Sequence, residues 1–322
     1  MTDQPIRWGI LGAARFARQH MALAIHAANG AELAALATSS AEKHAEFARF
    51  APGLTHHQSY EALLADPDID AVYIPLPNHL HVEWAIKALE AGKHVLVEKP
   101  VGLDVAEVDR LIAARDRTGL LAAEAYMIVH HPQWQRAKAL IAEGALGDLA
   151  HVNAAFTFRN LDESNIRNQA AKGGGGLRDI GVYTLGSARW ATGQEPQSLT
   201  HAHLQMENGI DIFADVGFAF PDFTYQGFTS IRMANRQEVH FHGTEALLTL
   251  TCPFNANVFD QAELHLKRPD GTTIVERFAG VNQYVLQVQN FGQAIRQGQR
   301  FPWTLEDARG TQAMLNQILA TV

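Results

Sequence analysis

"IRWGILGAARFA", Ile6 to Ala17, decides how the rest of this sequence is read. An apolar run that reads as a buried strand ends at Gly12, and Phe16 to Ala28 reads as an amphipathic helix. A glycine turn between strand and helix can aim backbone N–H groups and a helix N-terminus at a pyrophosphate. Read as G-x-A-x-x-A from Gly12, the turn carries Ala14 and Ala17 where the strict pattern has glycine. An ordinary tight strand-to-helix turn would have the same appearance, so the surroundings decide.

Outward from that turn, "ELAALAT", "DAVYIPL", "KHVLVEK" and "LLAAEA" read as further buried strands, and Ala41 to Phe50, His79 to Ala91 and Asp104 to Thr118 as helices. Strict alternation of strand and helix implies right-handed crossovers and a parallel sheet covered on both faces. After "PQWQRAKALIAEGALGD", a helix ending near Gly144 to Gly147, the texture changes. "HVNAAFTF", "DIFADVGFAF", "TYQGFTSIRM", "EVHFHG", "AELHLKR" and "TIVERF" are β-rich and separated by turn residues. Val281 to Gln297 and Leu305 to Thr321 read as closing helices.

The expected fold is therefore α/β: an N-terminal doubly wound parallel sheet over 1–125, then an α+β domain with a large, mostly antiparallel open sheet over 126–322. The closing helices are free to pack back on the first domain. At 322 residues the chain is long enough for two cores. A net charge of −8 and no dense Lys/Arg run exclude nucleic acid as the main partner. No apolar run is long enough to span a bilayer, and the N-terminus reads as having no basic leader. The single cysteine, Cys252, suits a reducing compartment and reads as a buried apolar residue. A cytoplasmic protein is expected.

At the end of the second strand stand Thr38, Ser39 and Ser40, with Lys43 one turn on. A dinucleotide site for NAD places an acid there; hydroxyls and a cation suit a 2′-phosphate, so NADP is favoured, with Arg15 a further phosphate candidate. Alternatively, Ser39 or Ser40 caps the next helix and Lys43 is a solvated charge. "YIPLPNHLH" and "HVLVEKPV" leave later strands and put Glu98 and Lys99 at a carboxyl edge, where ligands bind in open α/β sheets. Lys99 could hydrogen-bond a reacting oxygen; a lysine paired with a carboxylate would look alike. "HAH" at His201 to His203 and "HFH" at His240 to His242 place histidines on one strand face, but no Cys, Asp or Glu cluster joins them, so no metal is expected.

"GILGAARFA", "IPLPNHLH", "VEKP", "EAYM…HHPQ", "GGGGLRDIGVY" and "NQYVLQV" together span nearly the whole chain, and in order and spacing the sequence resembles the Gfo/Idh/MocA oxidoreductases. The resemblance implies a Rossmann domain for NADP, with NAD less favoured, contacted by Gly12, Ala13, Ala14, Arg15, Phe16, Ser39, Ser40, Lys43, Leu76, Asn78, His81, Glu98 and Lys99. It also implies a homodimer or homotetramer built on the open sheet, and Lys99, Asp179 and Tyr183 as catalytic residues, with a Lys99 to Pro100 peptide that is often cis. Tyr183 is similar to the glucose-fructose oxidoreductase and dimeric dihydrodiol dehydrogenase branch, which usually prefers NADP. Close relatives carry an aromatic residue and an arginine where this chain has Ile128 and Val129; Arg178 or His131 is the candidate for the missing positive lining.

If residues 177 to 183 are helical, Asp179 and Tyr183 share a face. The residue types then suit hydride exchange at a C–OH/C=O centre of a sugar, polyol or cyclic trans-diol. Tyr183 acts as acid/base, Lys99 is the ammonium that favours its phenolate, and Asp179 orients Lys99 or a substrate hydroxyl. The glycines of "KGGGG" permit close approach of cofactor or substrate. The rival of another class is a nucleotide-sensing, non-catalytic member of the same fold, which has no need of all three residues.

Overall fold

The computed structural model describes residues 4–322. The chain forms two compact units: one runs through His130 and takes in Asn282–Ala308, the other comprises His131–Val281 and Arg309–Val322. Residues 126–130 and 282–308, which the sequence reading places with the second domain, group with the first sheet. Aromatic packing within that unit accounts for this: Trp8 lies 5.1 Å from Phe291, and Tyr126 stacks on Trp303 at 4.1 Å.

Six strands build the first unit: β1 (Ile6–Leu11), β2 (Ala31–Ala37), β3 (Thr55–His57), β4 (Ala71–Ile74), β5 (His94–Val97) and β6 (Ala122–Glu124). They lie parallel in the order β3-β2-β1-β4-β5-β6. β1, β4 and β5 are apolar and almost wholly buried, as strands covered on both faces must be. β3 escapes the sequence reading because it is three residues long, partly exposed and rich in histidine. Between β1 and β4 the strand order reverses, and in such sheets ligands bind in the crevice outside that point.

Eight strands form the second sheet: β7 (Leu149–Arg159), β8 (Ser198–Glu207), β9 (Ile210–Ala219), β10 (Thr224–Ser230), β11 (Arg232–Gly243), β12 (Leu247–Leu250), β13 (Ala262–Lys267) and β14 (Thr273–Phe278). Every pairing is antiparallel except β7 with β10. "TYQGFTSIRM" reads as one strand but is two: at Ile231 the chain crosses the end of β7, so β10 lies on one side of it and β11 on the other. The Ser230 hydroxyl holds this crossing by donating to Ile212 O and accepting from Arg232 N–H.

One face of this sheet is packed by Phe156, Phe241 and Phe254 with Trp134 and Tyr183 from the helices Pro132–Ala142 and Val182–Thr192. On β11 the alternation puts His240 on the other face, where it pairs with Thr249 across the strands. Among the described residues no His, Cys, Asp or Glu group of three or more is placed to hold a metal ion, and no helix is long and apolar enough to cross a membrane. Cys252 is buried, which pushes its thiol up to about 11.

The helix Pro132–Ala142 starts on an unusual cap: His131 Nδ1 accepts Gln133 N–H at 3.1 Å. Burial pushes this histidine down to about 4, so it is neutral at physiological pH. It is therefore not the positive lining that the sequence suggested. Between the unfolded value of about 6.5 and the folded value of about 4 the unfolded chain binds the extra proton, so the stability that neutral His131 contributes is complete above pH 6.5 and is lost as pH falls through 4. Asn at this position keeps an acceptor for the cap and removes the titration. In urea unfolding at several pH values, His131→Asn is expected to lose stability less steeply than the parent between pH 6.5 and 4; identical slopes would refute the assignment.

Candidate active site

At the end of β1 the chain turns through Gly12 at φ +100°, and its N–H donates to Ala37 O at 3.0 Å. A Cβ here would stand 2.9 Å from Leu76 Cδ2 and 3.3 Å from Tyr60 Oη, so both backbone conformation and space require glycine. Ala13 and Ala14 are half-buried, Arg15 and Phe16 exposed, and Ala14 O accepts Arg18 N–H in the first turn of the helix. That helix carries a π-helical turn at Ala17–Met21 before Ala22–Ala27. Such turns are frequent at functional sites.

Beyond β2, Thr38 is buried and its hydroxyl accepts Ser40 N–H. Ser40 Oγ caps the next helix by accepting Lys43 N–H at 3.1 Å, the structural role that the sequence left open. Ser39 and the Lys43 side chain are exposed. The residues present fit a 2′-phosphorylated dinucleotide: a tight turn at Gly12 with positive φ, a helix start just after it, and no carboxylate among residues 37–40 at the end of β2 to repel a phosphate.

Leu76 and Asn78 follow β4, and Glu98 and Lys99 follow β5 at the same carboxyl edge as Gly12. Glu98 accepts the Tyr73 hydroxyl at 2.6 Å, and the Lys99–Pro100 peptide is cis. His81 is wholly buried, with Nδ1 2.7 Å from Pro100 O and Nε2 2.7 Å from Leu76 O. A neutral ring donates from one nitrogen only, so the two carbonyl contacts favour the imidazolium, while burial outweighs them and pushes the group down to about 4. Both ring nitrogens face backbone carbonyls, and the neutral ring donates to one of them. His81 ties the loops after β4 and β5 together rather than offering its ring to a cofactor.

In the second unit, Asp179 lies in a π-helical turn, Leu177–Gly181, that leads into the helix carrying Tyr183. Asp179 Oδ2 accepts from Arg167 Nε at 2.5 Å, and the carboxylate is only slightly exposed. Tyr183 is buried to 6% exposure, with Phe254 at 5.8 Å and Phe156 at 6.0 Å. Arg178, between Leu177 and Asp179 in the chain, has a buried Nε without a hydrogen-bond partner.

The glycine run is packed closely against its own surroundings. Gly175 N–H donates to Arg167 O and Gly173 N–H to Ala170 O. A Cβ on Gly174 would meet Arg167 O at 2.6 Å and Ile166 O at 2.8 Å. Gly175, at φ +117°, and Gly176 press against the carboxylate of Asp211. Asp211 is buried and accepts Leu177 N–H at 2.7 Å, which anchors the start of the helical segment bearing Asp179 and Tyr183; burial raises it to about 6, against the pull of backbone N–H donors. At Gly174, Gly175 and Gly176 the space that a side chain would need is taken by protein atoms.

Three of these residues lie outside the sequence reading. Asp211 stands second in β9, a strand that is apolar apart from Asp211 and Asp215, and Glu124 is the acid inside the apolar "LLAAEA"; a charge in a buried run is the signal that finds both. Arg167 sits in a polar loop and carries no such signal. Ile128 and Val129, whose departure from the family pattern drew notice, are wholly buried.

The pattern described as an oxidoreductase family with an NAD-binding Rossmann fold matches residues 6–126, and the GFO/IDH/MocA C-terminal domain matches residues 134–249. The chain is 40% identical over 320 residues to an uncharacterized oxidoreductase, ORF334, of Rhizobium meliloti, with 97% of this chain and 96% of that one covered. It is 34% identical over 303 residues to a dTDP-3,4-didehydro-2,6-dideoxy-alpha-D-glucose 3-reductase of Actinomadura kijaniata, covering 92% of this chain and 89% of that one. Among solved structures, a 3-ketoreductase from Actinomadura kijaniata in complex with NADP and TDP-benzene matches with a TM-score of 0.90 at 30% identity over 98% of each chain. On both domain patterns and on relatives that match along almost their full length, this chain belongs to the Gfo/Idh/MocA family of oxidoreductases.

Proposed function

We propose that this protein is an NADP-dependent oxidoreductase that interconverts C–OH and C=O at one centre of a sugar, polyol or cyclic trans-diol. The observation that carries this reading is the carboxyl edge of the parallel sheet, where Lys99 follows β5 beside the strand-order reversal and Gly12 leaves β1 in a turn that only glycine fits. The 3-ketoreductase of similar fold, crystallised with NADP, supports the cofactor. When bound, NADP supplies or accepts the hydride. Tyr183 gives a proton to the carbonyl oxygen in reduction and takes it from the hydroxyl in oxidation. The Lys99 ammonium offsets negative charge that develops on that oxygen. Asp179, its carboxylate fixed by Arg167, orients a substrate hydroxyl or Lys99. Ser39 and Lys43 receive the 2′-phosphate, with Arg15 as a further contact. The protein works in the cytoplasm as a homodimer or homotetramer formed through the open face of the second sheet.

Turnover is to be measured at the nicotinamide absorbance over aldoses, nucleotide-activated keto-sugars, free keto-sugars and cyclic diols, with NAD and NADP in parallel. At least one of these classes is expected to react, with NADP preferred; equal or better rates with NAD would overturn the role of Ser39 and Lys43. Tyr183→Phe is expected to lower kcat by about 10²-fold or more, the scale of a lost general acid, while the Kd for NADP stays near the parent value. Normal turnover in that variant would remove Tyr183 from the chemistry.

A further inference from the structure

Glu124 is a buried carboxylate to which the mechanism above gives no part. It ends β6, where it pairs in register with Val97, two residues ahead of Lys99. Its Oε1 accepts Val101 N–H at 2.8 Å, and its Oε2 accepts the Trp303 indole N–H at 2.8 Å. Glu124 is 3% exposed, and Val101 and Trp303 1% each. Trp303 comes from the far end of the chain and is itself stacked on Tyr126 at 4.1 Å with the rings 21° from parallel. All these residues belong to the first unit.

We propose that Glu124 is a positioning residue for Lys99, a two-pronged carboxylate that pins the backbone of Val101 to the indole of Trp303 and so fixes the segment that carries the lysine. The segment Lys99–Pro100–Val101 is then held at successive points: Pro100 O by His81, Val101 N–H by Glu124, and the preceding Glu98 by Tyr73. The donor set identifies the state that does this. Two N–H groups aimed at two oxygens are best satisfied by the anion, because a proton on either oxygen makes it a weaker acceptor and adds an O–H that needs a partner of its own. Isolating a carboxylate in this way is costly, and burial pushes it up to about 7 against the pull of the two N–H groups. The charged groups whose fields reach it are Glu98, which adds to the cost, and Lys99, which reduces it. The Lys99 ammonium therefore favours the anionic form of Glu124. An amide at this position can accept from one N–H but opposes the other with its own NH2 group.

This inference rests on the reading of Lys99 as catalytic, so its test needs a readout that requires no substrate. The full-length protein is labelled with an amine-reactive probe near neutral pH, and modification of Lys99 is followed by mass spectrometry with Lys87 as internal reference. In Glu124→Gln, relative labelling of Lys99 is expected to rise at least threefold, because the segment loosens and the ammonium loses its countercharge. With the reacting substrate, kcat is expected to fall by about tenfold or more while Kd for NADP stays within twofold, a split that general destabilisation does not produce. Trp303→Phe keeps a ring on Tyr126 and removes one donor, so it is expected to move both readouts the same way by less; it decides the matter if the glutamine variant fails to fold. Parental labelling and kcat in a folded Glu124→Gln, or in Trp303→Phe where only that variant folds, would overturn the proposal. Lys99→Met judges the catalytic reading separately: full turnover in that variant defeats the role of the lysine, whereas the labelling result still judges Glu124.

Discussion

The parallel pairing of β1 with β2 on one side and β4 on the other is the constraint on which the rest of the first unit depends. A strand flanked in this way has its carboxyl end at the centre of the sheet edge, with crossovers leaving in opposite directions. Gly12 is consequently pressed against Leu76 from the loop after β4, and any side chain there would have to displace it. The same parallel register brings the loops after β2, β4 and β5 to one edge, so Ser39, Asn78 and Lys99 share it although they are far apart in sequence. Both helices that follow the glycine-containing turns, at Ala17–Met21 and Leu177–Gly181, contain a π-helical turn.

Each unit holds a backbone segment with a buried carboxylate that accepts neutral N–H groups. Glu124 serves the Lys99 segment, and Asp211 serves the start of the helix bearing Asp179 and Tyr183. Burial raises both groups, to about 7 and about 6, so each anion exists at a cost that its hydrogen bonds and a nearby cation, Lys99 for Glu124 and Arg178 for Asp211, partly offset. Replacing them with apolar residues would relieve that cost and release the backbone that they fix. What these carboxylates contribute is fixed geometry at the backbone that they hold. The Arg167 to Asp179 pair is of another kind: it is partly exposed, so solvent screens it, and its value is orientation.

Much of the first unit was legible in the sequence because hydrophobic periodicity and turn chemistry are local. "IRWGIL", Gly12 and the following helix declare a strand, a turn and a crossover within about 25 residues. Boundaries failed where local signals were weak: β3 is short and polar, and β10 and β11 look continuous because nothing in "TSIR" marks the crossing at Ile231. "KGGGG" was legible as a place where side chains are forbidden. What forbids them was not, since the opposing groups are Asp211 on β9 and carbonyls of the preceding loop.

The sequence by itself determined the alternation of strand and helix, the change to a β-rich second half, the ordered motifs of the family, and the position of Lys99 at a strand end and of Asp179 and Tyr183 four residues apart. Only the tertiary structure decided which polar groups hold these residues in place: Glu124 reaches Trp303, 179 positions away, and Leu177 N–H finds Asp211, 34 positions away. It also decided that His81 and Ser40 are engaged by backbone. The physical reason is that a buried hydrogen bond is defined by what surrounds it once water is excluded, and burial depends on the packing of segments from the whole chain.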